Sequence, residues 1–102
     1  MRKVLIISKE WKLRSYLKAE LLERQVQSVC LENIDDVDNE EDFVLGFIDC
    51  KDQDLSQIKK FINSTKMKLI VLDYPSHTNQ MISLRRPVTI GDCVQKIEEV
   101  IK

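Results

Sequence analysis

Ser8, Lys9, Asp49, Asp73 and Arg86 are the residues of this chain whose types and placement could do chemistry together. Each stands at or just beyond the end of a short aliphatic run: Val4 to Ile7, Phe43 to Ile48, Leu69 to Leu72, and Met81 to Leu84. Two carboxylates, an ammonium and a guanidinium gathered at one edge would pair at short range, with an energy that grows as water is excluded. Glu10, next to Lys9, adds another acidic side chain to the group. His77 is the single histidine and lies in the polar stretch Tyr74-Pro-Ser-His-Thr-Asn-Gln, without a second His or Cys at ligand spacing. A surface side chain is expected there, since a general base needs a nucleophile and an orienting group beside it.

The elements between these residues decide whether they meet. Lys3-Val-Leu-Ile-Ile-Ser8 is a near-continuous aliphatic strand, of the kind buried on both faces of a parallel sheet. Leu13, Leu17 and Leu21 then recur every four residues and predict an amphipathic helix from about Glu10 to Arg24. Trp11 and Tyr16 flank that stripe, and Trp11 is expected as a core or rim anchor; an exposed tryptophan would instead mark a binding hot spot. Gln27 to Leu31 reads as a second strand, and residues 35–42, Asp-Asp-Val-Asp-Asn-Glu-Glu-Asp, as a solvated connection. Phe43 to Ile48 is the third strand, ending at Asp49. Asp54 can cap a helix that buries Leu55, Ile58, Phe61 and Ile62. Lys68 to Leu72 is the fourth strand, ending at Asp73, and Met81 to Leu84 a short fifth. Thr89-Ile-Gly-Asp92 has the spacing of a capping box and opens a last helix with Ile90, Val94, Ile97 and Ile101 on its apolar stripe. Strand and helix alternate along the whole chain. Short connections and right-handed crossovers then favour a doubly wound parallel α/β sheet, in which functional residues gather beyond the carboxyl ends of the strands.

Composition removes several classes of function. With 102 residues there is room for one domain, spanning 1–102, and the formal net charge of -1 comes with both signs interspersed. No basic stripe is present to release counterions from a nucleic-acid backbone, so neither DNA nor RNA is expected as a direct partner. The apolar runs are too short to span a bilayer, and Lys9, Glu10 and Lys12 interrupt any signal-peptide core after Met1, so a cytoplasmic location and no membrane contact are expected. Cys30, Cys50 and Cys93 form an odd set without CxxC spacing, which reads as small buried hydrophobes and not as a disulfide framework or a zinc site. Two glycines cannot supply a Gly-rich phosphate loop. Residues 35–42 lack the glycine and spacing of a calcium loop. No metal or other cofactor is expected.

Taken in order, three segments resemble the receiver domain of bacterial response regulators (CheY-like). Lys3-Val-Leu-Ile-Ile-Ser-Lys-Glu-Trp-Lys-Leu-Arg14 resembles the family's opening strand, acidic cluster and first helix. Phe43 to Asp49 is similar to its third strand with a terminal aspartate. Ser83-Leu-Arg-Arg-Pro87, leading into a capped helix, is similar to its fifth strand and Lys-Pro step. The resemblance implies a five-stranded parallel sheet in the order 2-1-3-4-5, with the second and fourth helices shortened or missing because residues 32–42 and the stretch from Asp73 to Arg86 leave little chain for them. It also implies Asp49 at the phospho-acceptor position. The acidic-pocket positions hold Ser8 and Lys9, with Glu10 a remnant one step on, whereas the family's divalent cation needs two acidic residues there. Asp73 stands where a hydroxyl residue contacts the phosphoryl group, Ser83 where an aromatic switch residue is expected, and Arg86 at the family's lysine position, with altered geometry. Lys9 or Arg86 is expected to pair with Asp49 in place of the cation.

The resemblance thus implies a non-enzymatic pseudo-receiver in bacterial two-component signalling or transcription control. Its contact with a protein partner or a second copy is expected through the fifth strand and last helix. The alternative is an atypical phospho-accepting receiver using Asp49, with Glu10 or Asp73 in its metal shell. A sugar-transport phosphocarrier would need a cysteine after the first strand, where Ser8 and Lys9 stand.

Overall fold

A computed structural model describes residues 3–76 and 81–102 of the chain. The aliphatic runs form five strands: β1 (Lys3–Ile7), β2 (Gln27–Leu31), β3 (Leu45–Asp49), β4 (Lys68–Leu72) and β5 (Met81–Leu84). They pair in parallel in the order β2-β1-β3-β4-β5, the order of a CheY-like α/β fold. Three helices accompany them: α1 (Trp11–Glu23), α2 (Leu55–Ser64) and α3 (Ile90–Ile101).

Strand alternation divides the core into two layers. On one face Val4, Ile6, Leu45, Phe47, Ile70 and Leu72 pack against Leu17 and Leu21 of α1 and Cys93, Val94 and Ile97 of α3. On the other, Leu5, Ile7, Ile48, Leu69 and Val71 pack against Ile58 and Ile62 of α2. Central strands that are buried on both faces are why the sequence shows unbroken aliphatic runs instead of alternation.

The helix ends match their predicted caps. Asp54 accepts from the Ser56 N–H, and Thr89 and Asp92 form a reciprocal capping box in which each side chain accepts from the other residue's N–H. Between β2 and β3 the chain makes only two one-turn 3₁₀ segments, Ile34–Asp36 and Glu40–Asp42. Between β4 and β5 there is no helix among the described residues. Both shortened crossovers were expected.

Four local expectations are corrected. Leu55, expected on the buried face of α2, is 46% exposed at the first position of that helix, next to the Asp54 cap. The β3 ladder begins at Leu45, two residues after Phe43, because Phe43 closes the preceding 3₁₀ turn by donating to Glu40. Trp11 is 63% exposed, since it lies two positions, or about 200° of helix rotation, from the inward-facing Leu13. Cys50 and Cys93 are buried, but Cys30 on the edge strand β2 is only half-buried. His77 lies outside the described residues. Among the described residues no helix is long and apolar enough to cross a membrane.

Candidate functional site

Asp49 closes β3, the middle strand, and is wholly buried. A buried carboxylate is costly unless its oxygens are hydrogen-bonded and its charge is paired. Here both conditions are met. Oδ2 accepts from Ser8 Oγ at 2.8 Å and from Arg86 Nη2 at 3.0 Å. Oδ1 accepts from the Lys51 N–H at 3.1 Å and from Arg86 Nη1 at 3.2 Å. A carboxylate has about four lone-pair sites, and each of the four is occupied by a donor.

Arg86 reaches this carboxylate from the turn after β5 with the two-pronged geometry that only a guanidinium offers. The same two nitrogens bond outward as well: Nη1 to Asp73 Oδ2 at 2.5 Å and Nη2 to Glu10 Oε1 at 3.2 Å. Lys51 Nζ, 3.3 Å from Glu10 Oε1, is the second cation of the cluster. Three carboxylates from the ends of β1, β3 and β4 therefore surround one guanidinium from the end of β5.

Asp73 is held by its backbone. It adopts a left-handed conformation (φ 62°), which aspartate tolerates better than most residues. Its N–H donates to the Leu84 carbonyl at 2.9 Å and its Oδ1 accepts from the Arg86 N–H at 3.0 Å, so the exits of β4 and β5 are tied together. That backbone N–H, aided by the guanidinium, holds Asp73 below the usual carboxylate range against the opposing effect of burial. Burial also disfavours the charged Arg86, yet the hydrogen bonds and negative charge of Asp49 and Asp73 outweigh it and raise its pKa. Cys50 follows Asp49, and burial first, then the two nearby carboxylates, push its thiol up to about 12.

Of the residues singled out in the sequence, Ser8, Glu10, Asp49, Asp73 and Arg86 come together. Ser8 also accepts from the Glu10 N–H at 3.0 Å, which fixes the hydroxyl for donation to Asp49. Lys9 does not join them. It is exposed and donates to Asn33 Oδ1, so the expected Lys9–Asp49 pair is absent. Consecutive residues at a strand end point to opposite sides: Ser8 turns inward and Lys9 out. Ser83 lies on β5 beside Val71, and its buried hydroxyl has no hydrogen-bond partner among the described residues. Sequence reasoning missed Lys51 and Arg14. Arg14 Nη1 donates to the Ser8 carbonyl at 2.7 Å, and Nη2 stands 3.5 Å from Glu32. A lysine two residues after a strand-terminal aspartate was the available signal for Lys51.

The donor set does not fit the divalent cation that the resemblance implies. A magnesium-type ion demands a near-octahedral shell of oxygens. Here every carboxylate of the cluster already faces Arg86, and Glu10 faces Lys51 as well. Among the described residues no group of three or more His, Cys, Asp or Glu side chains is arranged to hold a metal ion.

No protein-family model matches the chain, and no curated protein matches it. Solved structures do. A two-component response regulator from Clostridium difficile superposes with a TM-score of 0.75 at 18% identity, covering 99% of this chain and 96% of that one. A CheY-like receiver domain protein from Methanospirillum hungatei JF-1 gives 0.75 at 21% identity, covering 97% and 92%. A chain from the complex of the histidine kinase ThkA with the response regulator TrrA gives 0.71 at 17% identity over 100% of both chains. The fold is that of a response-regulator receiver.

Proposed function

We propose that this chain is a pseudo-receiver: a regulatory module that acts in two-component-type signalling through protein contact, without taking up a phosphoryl group. One observation carries this reading. All four lone-pair sites of Asp49 are filled, two of them by the Arg86 fork. Attack on phosphorus would require an oxygen to leave this set and a counter-charge for the incoming phosphoryl oxygens. The available counter-charge is already spread over Asp49, Asp73 and Glu10, and Asp73 would repel an incoming phosphoryl group.

Under this reading the chain is not an enzyme, spans one domain over residues 1–102, takes no cofactor and works in the cytoplasm. Its partner is a protein, as in the ThkA–TrrA complex, where a chain of this fold accompanies a histidine kinase. The face expected to dock a partner or a second copy is β5 with α3. Nucleic acid and membrane are not partners.

A second reading keeps Asp49 as a phospho-acceptor, and one observation favours it: Glu10, Asp49 and Asp73 do converge on one point. Amide NMR separates the two. The chain is titrated with magnesium and then with beryllofluoride as a phosphoryl mimic. The pseudo-receiver gives a flat response; saturating shifts around Asp49, Asp73 and Arg86 would establish the second reading instead.

A further inference from the structure

The crossover from β2 to β3 leaves a groove beside α2. In a parallel sheet such a crossover is usually a helix, but residues 32–44 form only the two one-turn 3₁₀ segments. Next to them Gln57, Lys60, Phe61 and Ser64 keep the i, i+3, i+4, i+7 spacing of one helix face. This stripe of α2 lines a cavity of about 300 Å³ together with Ile34 and Asp35. A second cavity of about 360 Å³ meets the first at Ser64, and Phe43 and Met67 line it. Phe43, Phe61 and Met67 are only half-buried, so the groove has apolar surface left to cover.

The two walls of the groove differ in charge. Residues 32–42 carry seven carboxylates and no lysine or arginine. Glu32 faces Arg14, and Glu40 accepts from the Thr65 hydroxyl. Asp35, Asp36, Asp38, Glu41 and Asp42 make no ion pair among the described residues. Asp35 and Glu41 stand on the groove itself, one in each cavity. The opposite wall contributes Lys60 to the first cavity and Lys66 to the second, and neither reaches ion-pair distance of a carboxylate among the described residues. Two lysines leave the acidic wall well in excess. Such a wall repels nucleic acid and anionic membrane, and it attracts a basic protein segment.

We infer that this groove docks an amphipathic helix of a protein partner, apolar along one stripe and basic along one flank. The apolar stripe lies over Phe61, Phe43 and Met67, and the basic flank faces Asp35 and Glu41. The other flank, beside Lys60 and Lys66, is neutral or acidic. Recognition of a helix in a groove uses apolar anchors at i, i+3, i+4 and i+7 of the incoming helix. Those anchors span about two turns, which is the length of α2 between Gln57 and Ser64. Packed helices lie about 8–10 Å apart, so the docked helix takes the place beside α2 that a full crossover helix would fill. The groove shares no residue with the Asp49 cluster, with β5 or with α3, and it stands independently of the pseudo-receiver reading.

Amide NMR of the full chain, titrated with synthetic helical peptides, tests the inference. The first peptide has leucines along one stripe and lysines along one flank. The second carries glutamates in place of the lysines, and the third has the composition of the first in scrambled order. The first should bind saturably below millimolar concentration, with shifts confined to residues 34–43 and 57–67. The other two should bind at least about fivefold more weakly. D35K/E41K changes two exposed side chains and leaves the apolar floor alone. It should weaken the first peptide at least about fivefold and make the glutamate peptide the better ligand. Absence of saturable binding by the first peptide overturns the inference. So do shifts centred elsewhere, a scrambled peptide that binds equally well, or a D35K/E41K chain that binds as wild type does. Shifts at the groove that appear on concentrating the chain alone would make a second copy the occupant and overturn it as well. A positive magnesium titration would remove the pseudo-receiver reading and leave this groove untouched.

Discussion

Replacing Arg86 with methionine tests whether the guanidinium is what makes a buried Asp49 tolerable. R86M takes two of the four donors from a carboxylate with 0% exposure and removes the guanidinium charge paired with it. Breaking a buried pair from one side typically costs 3–5 kcal/mol, most of it the uncompensated charge left behind. The lower end applies here, because Ser8 Oγ and the Lys51 N–H remain on Asp49 and the Arg86 side chain is itself 32% exposed. A loss of about 3 kcal/mol is expected. For a domain of this size that corresponds to a fall in Tm of roughly 12–24 °C. R86K, which keeps the charge but loses the fork, should fall between the two. The assay is thermal and urea unfolding of wild type, R86M, D49N and D49N/R86M as a double-mutant cycle. Neutralising Asp49 in the R86M background should recover part of the loss, with a coupling of at least about 1.5 kcal/mol. The same melts with and without magnesium should coincide, whereas an ion bound at ten times its Kd would add about 1.4 kcal/mol. A loss below about 1 kcal/mol in R86M, the range of an exposed ion pair, or strictly additive effects, would refute the reasoning.

Three further outcomes follow from the same geometry. Asp73 titrates below its unfolded value, so its contribution to stability is present above that value and is lost as pH falls through the lower folded one. Unfolding free energy should therefore drop below about pH 4, and D73N should flatten that part of the profile, as read by urea midpoints across pH. Burial raises the Cys50 thiol to about 12 and the Cys93 thiol to about 11, so mass spectrometry after brief alkylation at neutral pH should find label on neither while the chain is folded. T89A removes the hydroxyl half of the capping box on α3 and should cost about 1 kcal/mol by urea unfolding.

The strands were legible because central parallel strands leave unbroken aliphatic runs, and the caps at Asp54 and Thr89 because their chemistry is local. The convergence of Ser8, Asp49, Asp73 and Arg86 was legible too, since each follows directly from where a strand stops. What stayed hidden depends on which way a side chain leaves the end of a strand. Lys9 and Ser8 are neighbours, yet only Ser8 points into the cluster, and Lys51 arrives through a turn that no periodicity marks. Asp73 reaches Arg86 from a left-handed backbone, a conformation that aspartate tolerates and that its bonds to Leu84 and Arg86 hold, so no pattern in the sequence marks it. Trp11 was misplaced because flanking an apolar stripe says little about the side of the helix a residue takes. Its angle from Leu13 was the better guide.

The Arg86 fork has a consequence of another kind. A counter-ion that diffuses in has a binding isotherm: its occupancy rises and falls with concentration, and a chelator can empty the site. A counter-ion built into the chain has no isotherm. It arrives once, when β5 docks beside β4, and leaves only if the turn after Leu84 lets go. The guanidinium beside Asp49 is thus set in place at folding, and under the pseudo-receiver reading proposed above the amount of folded chain present takes the place of site occupancy as the quantity a cell could vary.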